Sequence, residues 1–150
     1  MITYQEEAYS DCIDELKVIY PEHYEELAVE KSVPLEPDYE TYKNLEKLGK
    51  ISLITCRKDG ELIGYIMFFI NTHMHYKSCV VAHEDIYFVK KPYRKGRIGI
   101  KLFQYAEEKL REKNVNRIVY GTKVYLDNSS LFEYLGYRFY EKLYTKLIKD

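Results

Sequence analysis

Tryptophan is absent from this chain, and cysteine, methionine and proline are scarce, at three, three and four residues. Cys12, Cys56 and Cys79 are too scattered for a disulfide framework or a zinc site, and each reads as a small buried hydrophobe. That usage makes the cytosol the expected compartment. A long apolar run is also lacking. The longest, Leu62 to Ile70, is broken by Gly64 and falls far short of the ~20 residues of a membrane-spanning helix. The first residues, Met1 to Glu7, are acidic and carry no apolar signal core. Apart from a local basic cluster, Lys90 to Arg97, no long block of like charge occurs and the net charge is −1, which argues against a protein that grips nucleic acid by phosphate neutralisation. No repeat, low-complexity tract or Gly/Ser linker divides the 150 residues, so one domain around one core is expected.

Tyrosine is what the chain has instead, 17 residues with 6 Phe, enough to build an amphipathic interior or cleft. Helical periodicity predicts a helix over Glu6 to Tyr20, stopped by Pro21, and a short one over His23 to Glu30. Asp38 is placed to cap a third, ended by Gly49. From Ile51 the pattern turns to strands: Ile51 to Cys56, Leu62 to Ile70 after the turn Lys58-Asp59-Gly60, and Ser78 to Val89. An amphipathic helix over Gly99 to Lys113, a strand over Asn116 to Val124, a short helix over Ser129 to Leu135 and a last strand over Tyr137 to Ile148 complete the order. Helices, then an antiparallel meander, then alternating helix and strand define a mixed α/β (α+β) layer fold.

The most informative stretch runs from Val89 through Lys90, Lys91, Pro92, Tyr93, Arg94, Lys95, Gly96, Arg97 and Ile98 to Gly99, straight into the long helix. A strand ending in a basic, glycine-containing turn before a helix N-terminus is an anion site. The first-turn amides are free, and the helix dipole favours negative charge there. Neither a Walker loop nor a dinucleotide G-x-G-x-x-G fingerprint is present.

On these residues the chain resembles the GNAT N-acetyltransferase superfamily, whose signature is [Gln/Arg]-x-x-Gly-x-[Gly/Ala]. Arg94, Ile98 and Gly99 match in place, while Arg97 stands where the central glycine would be. Asp59-Gly60-Glu61-Leu62-Ile63-Gly64-Tyr65, Leu131-Phe132-Glu133-Tyr134-Leu135-Gly136-Tyr137 and Tyr144-Thr145-Lys146-Leu147 resemble further family segments, in register over residues 50 to 148. The resemblance implies a single GNAT-like domain with a central, mostly antiparallel twisted sheet flanked by helices and splayed at the acetyl-CoA site. Residues 51–150 would form the CoA-binding core and the helical residues 1–50 the acceptor side. It implies acetyl-CoA as acyl donor and an amine acceptor, either a small molecule or a protein. Phe88, Val89, Arg94, Lys95, Gly96, Arg97, Ile98, Gly99 and Asn128 would bind the donor, with an N-cap role for Asn128 the alternative. Pairing through sheet edges into a homodimer is a further implication.

Chemistry on an amine needs a base, because a free lysine amine has a pKa near ~10.4 and must be neutral to attack. Glu84 and Asp85 occupy the place the family uses. Strict alternation would put Asp85 on the side of Val89, which favours Asp85 over Glu84. The family position for a proton-donating tyrosine holds Phe132, leaving Tyr134 or Tyr144 as substitutes. His75 and Tyr76, between two strands, are candidate acceptor contacts, and His23 a further one; with His73 and His75 alone, no metal site is assigned. Phe132 keeps open a GNAT fold that binds CoA or a protein without turnover. Acylation of aminoacyl-tRNA is a third reading, disfavoured by the balanced charge.

Overall fold

The chain enters as a strand rather than a helix. In the computed structural model, which describes residues 1–149, β1 spans Ile2–Glu7 and pairs antiparallel with β2, Ile51–Lys58, from Ile2↔Lys58 to Glu7↔Leu53. Three polar residues are tied into the sheet, among them Glu6 and Glu7 from the start of the expected first helix. Gln5 Nε2 donates to Thr55 Oγ1 at 2.6 Å, Glu6 accepts from Ser52 Oγ at 2.6 Å, and Glu7 accepts from Arg57 Nε at 2.9 Å.

Helix α1 then runs unbroken over Tyr9–Leu27 with Pro21 inside it, where two helices separated at Pro21 were expected. An interior proline costs about 3 kcal/mol in a helix. Contacts on both sides of it hold the helix together. Ile19 and Tyr20 are buried before it, and after it His23 stacks on Phe88 at 4.7 Å and Glu26 pairs with Arg94 at 2.6 Å. The capped helix is where the sequence places it: α2 spans Tyr39–Lys47, with Asp38 accepting from the Thr41 amide at 3.0 Å. Gly49 and Lys50 close its end on the carbonyls of Glu46 and Leu45.

The meander continues with β3, Glu61–His73, and β4, Tyr76–Val89, both longer than the sequence suggests. A 3-10 turn over Lys91–Tyr93 leads into α3, Ile98–Glu112, then β5, Arg117–Val119, and α4, Ser129–Tyr134. The sheet order is β1-β2-β3-β4-β5, antiparallel except that β5 runs parallel to β4. Helices cover both faces, so β2 and β3 are near-continuous apolar runs. On one face α1 and α2 pack over Leu53, Leu62, Tyr65, Met67 and Phe88. On the other, α3 and α4 pack over Ile54, Ile63, Ile66, Phe68 and Ala82. Leu102, Phe103, Ala106 and Leu110 form the buried stripe of α3, in which the two leucines and the phenylalanine are each worth roughly 1.5–3 kcal/mol of burial. Cys12 and Cys56 lie within these cores, and burial pushes both thiols up to about 11.

Two expected strands shrink or vanish. Asn116 to Val124 reduces to three paired residues, and Tyr137 to Ile148 forms no strand, although Tyr137 itself still packs on Tyr120 at 5.3 Å.

Candidate functional site

The site is organised by a bulge in β4. Met67 opposes Ile86 and Phe68 opposes Glu84, so Asp85 has no partner on β3. The extra residue breaks the alternation. Ile86 and Phe88 join the α1/α2 core, while Tyr87 and Val89 pack with the α3/α4 core. Upstream of the bulge, Glu84 reaches the Gly121 amide at 3.1 Å, whereas Asp85 accepts from Tyr42 Oη on α2. Asp85 therefore does not share the side of Val89, as uninterrupted alternation would require. It faces the α1/α2 side, and the two adjacent carboxyls point to different halves of the molecule. Burial raises both: Glu84 from 4.5 to about 7, with the Gly121 amide opposing the rise, and Asp85 upward, with the Tyr42 hydroxyl opposing.

Beyond the bulge the sheet is open. Strand β5 pairs with β4 only from Val81↔Arg117 to His83↔Val119, while β4 continues to Val89. Two β4 side chains replace the missing ladder, both at Gly121: Glu84 takes its N–H, and Tyr87 Oη donates to its carbonyl at 2.7 Å. A Cβ on Gly121 would stand 3.3 Å from Glu84 Oε1, a tight contact that the carboxylate would relieve by shifting a few tenths of an ångström. Asn128 Nδ2 donates to Tyr87 Oη at 3.3 Å, and its side chain does not cap α4. Lys90 N donates to Ile63 O at 2.8 Å, so by alternation the Phe88 amide also faces β3. The amides that face the opening are Tyr87 and Val89. Of the expected pair Phe88 and Val89, only Val89 is so placed.

At the end of β4 the basic turn delivers α3. Lys101 is the first helix residue whose amide is taken from within the turn, by Arg97 O at 2.9 Å. The preceding amides, including Ile98, Gly99 and Ile100, are the free ones. Gly96 holds φ +84°, a left-handed turn, and nothing lies within 4 Å of where a Cβ on Gly99 would be. Lys95 and Arg97 are exposed beside it. These features fit a pyrophosphate. Arg94 is different. Its guanidinium is held by both Glu26 oxygens, at 3.0 and 2.6 Å, and its Nε by Val89 O at 2.6 Å. In this arrangement it fastens α1 to the end of β4, and the ion pair holds Glu26 below the usual carboxylate range.

Opposite the opening, on the α1 side, His23 Nδ1 lies 2.7 Å from Tyr65 Oη, with its ring on Phe88. Burial lowers its pKa to about 4, so the imidazole is neutral. The remaining sequence candidates lie elsewhere. Tyr134 is 64% exposed on the outer surface of α4, and Tyr144 is 90% exposed after it. His75 and Tyr76 sit at the tip of the β3–β4 hairpin, roughly 30 Å along β4 from Asp85 at ~3.3 Å per residue. None of the four is brought to the carboxyls. Phe132 is buried against Tyr87 and Tyr120. The sequence reading passed over Tyr87, Tyr42 and Gly121. Tyr87 carried one usable signal, its place two residues before Val89; the others depend on tertiary neighbours.

A five-stranded sheet that opens between parallel β4 and β5 above a basic anion turn defines the GNAT class of architecture. The chain belongs to the acetyltransferase (GNAT) family, whose model matches residues 11–143. No curated protein matches it in sequence. Among solved structures, an aminoglycoside acetyltransferase, HMB0005, from an uncultured soil metagenomic sample superposes with a TM-score of 0.76 at 14% identity, covering 100% of this chain and 99% of that one. A transcriptional regulator from Bacillus halodurans C-125 gives 0.75 at 19% identity, covering 98% and 100%. A predicted acetyltransferase from Clostridium acetobutylicum, solved with acetyl-CoA, gives 0.73 at 9% identity, covering 99% and 97%. No helix among the described residues is long and apolar enough to cross a membrane.

Proposed function

We propose that the protein moves an acetyl group from acetyl-CoA to a primary amine of a small molecule or protein. The observation that carries this reading is the β4 bulge, which turns Asp85 toward α1 and α2 while the Tyr87 and Val89 amides face the β4–β5 opening. The free amides from Ile98 to Ile100, with Lys95 and Arg97, hold the donor's pyrophosphate. Acetyl-CoA supplies a thioester carbonyl. The Val89 amide polarises that carbonyl by donating to its oxygen. Asp85 accepts the proton of the attacking amine, a task its raised pKa suits better than an ordinary aspartate's. Tyr87 takes the place of the missing tyrosine at position 132. Its hydroxyl stands in the opening beside Asn128, and burial raises its pKa, so it keeps a proton to give the departing thiolate.

Steady-state kinetics and calorimetry on Asp85→Asn test the reading. The variant is expected to lose about 10²-fold or more in kcat while its acetyl-CoA affinity stays within about twofold, an ordinary surface-scale effect. A second reading, CoA binding without turnover, is favoured by the buried Phe132. Wild-type protein that binds CoA tightly yet turns over none of a panel of amines and aminoglycosides would establish it in place of the first.

A further inference from the structure

Between β5 and α4 the chain crosses the β4–β5 opening as a short strap. At one end Gly121 is bonded twice to β4, through Glu84 and Tyr87. At the other, Tyr125 Oη donates at 2.6 Å to the carbonyl of Leu27, the last residue of α1. In between, the strap is closed on itself. Leu126 N donates to Lys123 O at 3.2 Å, and Asn128 N to Thr122 Oγ1 at 2.7 Å. Residues 121–125 are therefore tied to both walls of the opening, β4 on one side and α1 on the other.

Lys123 sits midway along it, between Gly121 and Tyr125, with its side chain exposed. The basic residues at the end of β4 are spoken for: Lys90 pairs with Glu61, and Lys91 and Arg94 pair with Glu26. Lys123 has no carboxylate partner among the described residues. Its positive charge nevertheless acts on both walls. Beside the larger effect of burial, it draws down the pKa of Glu84 on β4 and of His23 on α1. Glu84 is a buried carboxyl that transfer to an added amine leaves idle. Burial raises it to about 7, the range in which a base works at neutral pH. Its Oε1 takes the Gly121 N–H, while Oε2 has no hydrogen-bond partner among the described residues. An unpaired lysine, a base with a free oxygen and the Tyr87 hydroxyl thus meet around one glycine.

We propose that Lys123 is itself an acceptor: without an added amine, the protein moves the acetyl group of bound acetyl-CoA to Lys123 Nζ of the same chain, with Glu84 as the base. The inference rests on acetyl-CoA as the donor. Glu84 takes one proton from the ammonium, and the neutral Nζ attacks the thioester carbonyl carbon. The C–N bond forms and the C–S bond breaks. Nζ then gives up a second proton, which replaces the one that Tyr87 Oη hands to the departing sulfur. The products are acetyl-lysine and free CoA, and Glu84 returns its proton to water. Asp85 takes no part, since it faces α1 and α2 with Tyr42. Transfer turns the strap's cation into a neutral amide, so the charge that acts on Glu84 and His23 is lost.

The full chain, incubated with acetyl-CoA and no amine, is read by intact mass and peptide mapping. A single acetyl group is expected, on Lys123, with a half-time that does not change when the protein is diluted. Acetylation spread evenly over the exposed lysines, as uncatalysed reaction in solution gives, overturns the proposal. So does a half-time that lengthens on dilution, which marks transfer between chains. Lys123→Arg should stay unmodified over the same period, and equal uptake at another lysine overturns the proposal. Glu84→Gln should slow the modification of Lys123 by about 10²-fold; an unchanged rate overturns it. Wild-type protein that acetylates an added amine while Lys123 stays free overturns this inference alone. Transfer to neither overturns it together with the acetyltransferase reading.

Discussion

Glu84→Gln separates what this carboxyl does for the fold from what it does for chemistry. In the folded protein Glu84 is raised from 4.5 to about 7 by burial, against the pull of the Gly121 amide. The folded state therefore holds the proton more tightly than the unfolded chain. Stability from this group is fully present below about pH 4.5, drains as pH rises through about 7, and is flat above that. At roughly 1.4 kcal/mol per pKa unit, the loss is about 3 kcal/mol. Glutamine keeps an oxygen for the Gly121 N–H and carries no charge to desolvate. Urea unfolding from pH 4 to 9 should find the two proteins of nearly equal stability at pH 4 and the variant about 3 kcal/mol more stable at pH 8. Other titrating groups are common to both proteins and cancel in the difference. A difference that does not change with pH, or a variant less stable at pH 8, refutes the reasoning. The same variant bears on the assignment of the base. With Asp85 accepting the amine's proton, Glu84→Gln keeps most of its turnover. Loss of turnover, together with loss of an acid limb near pH 7, would move the role to Glu84.

Tyr87→Phe removes the hydroxyl that joins Gly121, Asn128 and the opening, and kcat should fall by about 10–10²-fold with acetyl-CoA affinity changed far less; stopped-assay kinetics and titration calorimetry read the two separately. Lys95→Ala with Arg97→Ala should weaken acetyl-CoA binding by about tenfold or more and flatten its salt dependence, since hydrogen bonds to charged groups are worth about 1.5–3 kcal/mol; unchanged affinity would show that the amides suffice. Arg57→Ala strands Glu7 and Glu15, which it holds at 2.9 and 2.7 Å, and should cost about 3 kcal/mol in urea unfolding at pH 7. Both carboxyls sit below their ordinary value, so this stability is present above the unfolded pKa and is lost as pH falls through the folded one. The cost of Arg57→Ala should accordingly shrink below about pH 4.

Periodicity and punctuation made α2, α3, the β2–β3 hairpin and the anion turn legible, because each is decided within a few residues: a cap at Asp38, a glycine at Gly49, a stripe from Leu102 to Leu110. What stayed hidden depends on distant partners. The strand at Ile2–Glu7 exists because Ser52, Thr55 and Arg57 take up its polar side chains. Helix α1 passes Pro21 because Phe88 and Arg94, more than sixty residues on, hold its second half. The segment after α4, expected as a strand, forms no ladder among the described residues.

The bulge in β4 sets which way a carboxyl faces and not only where a strand pairs. Alternation is reliable only while every residue has a partner, and at Asp85 that condition fails. Counting from Val89 puts Asp85 on the side of Val89, whereas Asp85 faces α1 and α2 because the count is broken there. Without the bulge, Asp85 would follow Tyr87 and Val89 into the α3/α4 face, and Glu84 would face α1 and α2. One unpaired residue thus lets two adjacent carboxyls serve two halves of the site. One closes the gap left by the missing ladder at Gly121, and the other stays with Tyr42 on the α1/α2 side. A deletion that restores regular pairing, for example removal of His83, should therefore abolish turnover even if the shortened chain folds and binds acetyl-CoA through the unchanged turn at Lys95–Ile100.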